Sequence, residues 1–218
     1  NTIVIFSTDN GAETFTWPDG GNTPFKGQKG TAYEGGFRVP CIIRWPGQIP
    51  GGRVSNQIVS LVDFFPTLAR MCGGKVPIDR PIDGVDQLDF LSGRQEKSNR
   101  EHVLLFLGQK LMAVKWRNYK MHIDGLDRVD GVFEDWSFPR AFNLASDPKE
   151  RWNIIWQNTW IGEEIGPFVA AYGKSVRKYP NLAGGQPNDV LPRYGKEDPA
   201  AETGAEGVDK KLGSLKDP

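Results

Sequence analysis

The chain opens on the apolar run Ile3-Val4-Ile5-Phe6, which ends in the polar stretch Ser7-Thr8-Asp9-Asn10-Gly11. An unbroken apolar run bounded by turn residues predicts a strand buried on both faces, parallel in type, over residues 2–8. Its neighbours are expected to come from residues preceding Asn1. Residues 11–36, rich in Gly, Pro, Asn and Thr, predict a long loop, a length that signals function or disorder. Val39 to Arg44 predicts a second short strand, closed by Trp45-Pro46-Gly47. From Ser60 to Met71 the spacing of Leu61, Phe64, Phe65, Leu68 and Ala69 fits an amphipathic helix that stops at Gly73-Gly74, with Pro66 marking a kink or a late start.

After Gly93 the pattern becomes strand-like. His102-Val103-Leu104-Leu105-Phe106, Met112-Ala113-Val114-Lys115-Trp116 and Tyr119-Lys120-Met121-His122-Ile123 are short apolar runs joined by tight polar turns. They predict an antiparallel meander, with Phe142-Asn143-Leu144 as a fourth strand. Ile161 to Val176 supplies a helix to pack on it, although Gly162, Gly166 and Pro167 weaken its first turns. Trp152, Trp156 and Trp160 recur every four positions, a spacing that predicts helix packing before sugar stacking. Beyond Tyr179 large apolar residues are few, which predicts a loose or disordered tail. The fold class is α/β, divided at residues 1–93, 94–180 and 181–218.

Composition narrows the function. Among 218 residues, 27 basic side chains balance 27 acidic ones without a basic cluster. That gives no electrostatic reason to expect nucleic acid or a membrane surface as partner. No apolar run is long enough for a transmembrane helix and no leader is recognisable. Two cysteines do not define a disulfide framework.

The candidate chemistry lies where the first strand ends, the place at which open α/β sheets put their sites. Asp9 and Asn10 offer hard oxygen donors suited to a divalent cation. The bland alternative is that both cap a turn through their own backbone. Lys29, between glycines in Gly27-Gln28-Lys29-Gly30, can approach an anion closely, whereas most lysines are simply solvated. The residues alone leave both roles open.

Taken together, these segments resemble the type I sulfatases of the alkaline-phosphatase-like superfamily. The resemblance rests on Thr8-Asp9-Asn10-Gly11, Lys29-Gly30-Thr31-x-Tyr33-Glu34-Gly35-Gly36, Trp45-Pro46-Gly47 and Asp63-x-Phe65-Pro66-Thr67-Leu68, in that order over residues 8–68. Looser matches follow at Asp83-Gly84-Val85 and Asn143-Leu144-x-x-Asp147-Pro148-x-Glu150. The resemblance implies that residues 1–93 are the C-terminal portion of a sheet-and-helix sandwich catalytic domain, and that 94–180 form a small antiparallel sheet with a packed helix. It implies Asp9 and Asn10 as part of the shell of a Ca2+ or Mg2+ ion, and Lys29 as the catalytic, sulfate-contacting residue. Lys26 ranks below it. Glu34, Gly35, Gly36 and Arg38 are expected to be scaffold, with Glu34 and Arg38 bracing the loop, and His102 and His122 to have structural or surface roles.

The family nucleophile, a formylglycine made from Cys-x-Pro-x-Arg, has no counterpart here: Cys41 precedes Ile42-Ile43-Arg44 and Cys72 precedes Gly73-Gly74-Lys75. The expectation is therefore a C-terminal fragment, inactive alone, of an enzyme that hydrolyses small-molecule or glycan sulfate esters. Two alternatives are a phosphodiesterase or phosphonate hydrolase of the same superfamily and a non-catalytic module binding sulfated glycans. Resemblance alone favours an exported protein.

Overall fold

The computed structural model describes residues 2–14, 23–79, 81–126, 131, 134 and 136–180. The tail predicted over 181–218 lies outside them. In chain order the elements are β1 (Val4–Ser7), α1 (Glu34–Phe37), β2 (Cys41–Arg44), α2 (Phe64–Met71), α3 (Leu88–Leu91), β3 (His102–Leu107), β4 (Lys110–Trp116), β5 (Tyr119–His122), β6 (Arg140–Asn143) and α4 (Trp160–Lys178). Two compact units emerge, Asn1–Thr8 with Pro40–Val103 and Asp9–Val39 with the chain from Leu104 onward.

In the first unit β1 pairs antiparallel with β2, Val4 opposite Arg44 and Ser7 opposite Cys41. The predicted buried parallel strand is thus an exposed antiparallel one: Phe6 is 63% exposed and Ile42 64%. Apolar composition signals burial on two faces only when further strands and covering layers are present, and a two-stranded ribbon provides neither. The predicted helix after Ser60 begins as a 3-10 turn over Leu61–Asp63 and continues as α2. Pro66 falls in the first turn of α2, where its missing N–H costs nothing. Asp63, the first residue of its motif, is a buried hub. Its carboxylate accepts the N–H of Ser60 (2.9 Å) and of Val85 (2.9 Å) and pairs with Arg100 Nη2 (2.6 Å), tying α2 to the Asp83-Gly84-Val85 segment. Burial alone would raise its pKa, but Arg100 and the two amides together hold it below the ordinary value. This motif is architecture.

In the second unit the sheet order is β3-β4-β5-β6. The register sets Ala113 against His122 and Trp116 against Tyr119 across β4 and β5, and Met121 against Ala141 across β5 and β6. α4 packs Ile161, Ile165 and Val169, four residues apart, against Val114, Trp116, Met121, Ile123 and Ala141. Each buried branched side chain contributes about 1.5–3 kcal/mol. That outweighs the local cost of Gly162, Gly166 and Pro167, so the helix runs unbroken from Trp160 to Lys178. Among the described residues no helix is long and apolar enough to cross a membrane.

The three tryptophans share no helix face. Trp152 (73% exposed) lies in a loop, Trp156 (61%) in a 3-10 turn, and only Trp160 belongs to α4. Asp147 explains the break, because its carboxylate accepts the N–H groups of Arg151 (2.7 Å) and Trp152 (2.8 Å) and so holds a turn where a helix was expected. Residues 9–14 and 23–39 group with the small sheet. The buried charges described next are the reason.

Candidate functional site

Asp9, Asn10, Lys26 and Lys29 all fall in the second unit, on two loops laced together by backbone hydrogen bonds. Lys29 N–H donates to Ala12 O (3.0 Å), Gly11 N–H to Gly36 O (2.9 Å) and Gly35 N–H to Lys26 O (2.7 Å). The approach is so close that a Cβ at Gly11 would collide with the Gly35 carbonyl oxygen. Gly30, at φ +81, makes the turn that follows Lys29. Gly35 and Gly36 sit in the helical turn α1, and what they provide is room for the neighbouring carbonyls.

At one edge of this lacing Asp9 Oδ1 accepts the Asn10 N–H (3.0 Å), and Asn10 Nδ2 donates to Gly11 O (3.0 Å). The turn-capping and ligand readings are therefore compatible: the backbone bonds fix the two side chains at a strand end, and both carry hard oxygens. Among the described residues no three His, Cys, Asp or Glu side chains are grouped to hold a metal. Asp9 and Asn10 fit a hard divalent cation only as part of a shell that needs about six or more oxygens.

The Lys29 side chain is 49% exposed, and its Nζ lies 2.8 Å from Glu13 Oε2. The Glu13 hydrogen bond and charge, with a smaller contribution from Asp9, raise the Lys29 pKa and keep it an ammonium. Glu13 lies in an aperiodic loop and belongs to no motif that would single it out. Lys26, the weaker candidate, stands 4.1 Å over the Tyr33 ring.

Glu34 is far more than the partner of Arg38, whose Nη1 is 3.8 Å away. Its Oε2 meets Lys115 Nζ at 2.8 Å and its Oε1 meets Lys120 Nζ at 3.3 Å. Glu150 Oε1 accepts the Glu34 N–H (2.7 Å) and lies 3.5 Å from Lys120 Nζ, while Oε2 is 2.5 Å from His122 Nε2. The Tyr33 ring packs on His122 with centroids 4.6 Å apart. Glu34, Lys120, His122 and Glu150 are each at most 2% exposed.

Burial pushes both carboxylates up, but Lys120 pulls both down, aided by Lys115 at Glu34 and His122 at Glu150, and the net direction is down. Burial pushes Lys120 and His122 down against the pull of Glu150. We assign ionised carboxylates, protonated Lys120 and neutral His122, since a neutral Lys120 would leave two buried carboxylates with Lys115 alone. This brace ties the loop of Lys29 to β4, β5 and the turn at Glu150.

The brace should make the second unit acid-labile. A group whose folded pKa lies below its unfolded one binds fewer protons when folded, so stability is present above the unfolded value and lost as pH falls. His122, depressed from 6.5, begins the loss below that pH, and Glu34 and Glu150, depressed from 4.5, deepen it. Thermal unfolding followed across this range should show His122→Gln removing the first part of the loss only.

The chain is similar in fold to the PsFucS1 sulfatase from Pseudoalteromonas sp., 34% identical, with a TM-score of 0.78 over 85% of this chain and 39% of that one. The fold is that of the alkaline-phosphatase-like α/β class. Residues 1–74 match the Sulfatase family. N-acetylgalactosamine-6-sulfatase of Canis lupus familiaris is 35% identical over 202 residues, 81% of this chain and 38% of the relative. Steryl-sulfatase of Mus musculus is 41% identical over 123 residues, 54% of this chain and 20% of the relative. The chain belongs to the type I sulfatases, a family of sulfuric ester hydrolases, and spans well under half the length of these relatives.

Proposed function

We propose that this chain supplies one side of the active site of an enzyme that hydrolyses a sulfate ester of a small molecule or glycan. The observation that carries the reading is the lacing of the two loops, which brings Asp9, Asn10 and Lys29 into one unit through Lys29 N–H to Ala12 O and Gly11 N–H to Gly36 O. Asp9 and Asn10 would hold part of the shell of Ca2+ or Mg2+, and such an ion, when bound, offsets negative charge on the sulfate oxygens. Lys29 is a positioned cation. As the S–O ester bond breaks and the alcohol leaves, its ammonium offsets the charge on the transferring sulfuryl group. Glu13 holds that ammonium protonated and oriented until an anionic substrate competes for it.

The nucleophile lies elsewhere. No Cys-x-Pro-x-Arg occurs in the 218 residues, and Cys41 and Cys72 are both exposed and in other contexts. The purified 218-residue chain is therefore expected to show no turnover of an aryl sulfate. Hydrolysis by this chain alone, abolished by Lys29→Ala, would contradict the proposal. An intact enzyme that cleaved an aryl phosphate faster than the matching aryl sulfate would replace it with phosphoryl transfer.

A further inference from the structure

Beside the brace, and sharing its loop, the second unit has a pocket of about 530 Å3. Tyr33 and Phe142 give it aromatic walls, and Lys26, Arg140, Arg151 and Asn153 give it polar ones. The volume is in the range of small-ligand sites. Its polar chemistry is one-sided. Asn153 Oδ1 is committed to the N–H groups of Ala141 (3.0 Å) and Ile155 (3.1 Å), so the amide presents its NH2 end as donor.

Arg140 lies with Cζ 3.8 Å over the Trp136 ring, and its contact with a carboxylate is the loose one to Glu134 at 3.9 Å. Among the described residues the Arg151 guanidinium makes no ion pair. The acidic residue of the lining, Glu150, is spent on Lys120, His122 and the Glu34 amide. Two guanidinium groups and an amide donor thus face a cavity whose carboxylate is already neutralised, and guanidinium forks suit carboxylate and sulfate oxygens.

The backbone supports a built site. Glu150 has φ 50, a left-handed conformation unfavourable for a residue with a Cβ, and it is held there by its buried carboxylate. Asp147 fixes the following turn by accepting the Arg151 N–H. Together they fix the Arg151 backbone beside the pocket that its side chain lines.

We propose that this pocket binds an acidic sugar, its carboxylate or sulfate group held by Arg140 and Arg151 and its ring against Tyr33 and Phe142. It is a recognition site for a group other than the ester being cleaved. This rests on the glycan form of the function proposed above, which the pocket narrows to polyanionic glycans. Lys26 connects the two, lying in the loop of Lys29 and lining the pocket.

The test is amide-resolved NMR titration of the 218-residue chain with glucuronate, galactose 6-sulfate, galactose and inorganic sulfate. The acidic sugars are expected to shift the Arg151 and Asn153 signals and galactose not to. The tighter of glucuronate and galactose 6-sulfate tells which anion the pocket takes. Arg140→Gln and Arg151→Gln should each weaken binding about tenfold, as expected for loss of a charge-assisted hydrogen bond, whereas Lys29→Ala should leave it unchanged. Both arginines are exposed, so the fold should survive, and Arg151→Glu should abolish binding. Equal binding of galactose, inorganic sulfate binding as tightly as the acidic sugars, or insensitivity to both arginine replacements would overturn the proposal. Because binding is read without turnover, failure of the pocket and failure of the sulfatase reading are separate results.

Discussion

Glu150→Ala is expected to destabilise the second unit by about 3–5 kcal/mol, the range for removing one partner of a buried charged pair. Three groups lose their partner at once. Lys120, fully buried, keeps Glu34 alone at 3.3 Å; the Glu34 N–H loses its acceptor; and His122 loses the carboxylate at 2.5 Å. The alanine also leaves a cavity in a closely packed region. Urea unfolding followed by tryptophan fluorescence reads this directly. Glu150→Gln should lose less, because a carboxamide oxygen can still accept the Glu34 amide proton. A loss for Glu150→Ala below about 1 kcal/mol, the size of an average substitution, would mean that the network adds nothing beyond packing.

The second large effect concerns chemistry. In the enzyme made from the full reading frame, Lys29→Ala is expected to lower kcat for an aryl sulfate by about a hundred- to a thousandfold, the usual consequence of deleting one group that stabilises an oxyanion. The fold should be little affected, since the Lys29 side chain is 49% exposed and its partner Glu13 stays 22% exposed to water. Lys26→Ala should affect kcat far less, because that ammonium sits over Tyr33 in the pocket. A larger kcat loss at Lys26 than at Lys29 would reverse the assignment.

Part of this was legible in the sequence for simple reasons. The strands β3 to β5 are short apolar runs joined by tight turns, signals that depend on near neighbours, and α2 begins where Pro66 can sit in a first turn. The proposed site residues came from motif spacing, which no physical periodicity carries. The misses share a cause. A buried lysine is rare enough that Lys120 reads as surface, and its burial becomes sensible only once Glu34 and Glu150, from distant segments, are placed beside it. The apolar run of β1 was read as buried because sequence reports which faces can be covered and not what covers them. The tryptophan spacing misled because the carboxylate of Asp147 breaks the helix that the spacing assumes. Glu13 had no pattern at all, yet it holds Lys29.

The most direct measurement is a crystal structure of the full-length enzyme with Ca2+ and a bound, unreactive aryl sulfate analogue. The account predicts side-chain oxygens of Asp9 and Asn10 at about 2.3–2.6 Å from the cation, and Lys29 Nζ turned from Glu13 to a sulfate oxygen at about 3 Å. A cation bound without Asp9 and Asn10, with Lys29 still on Glu13 and the sulfate elsewhere, would contradict it.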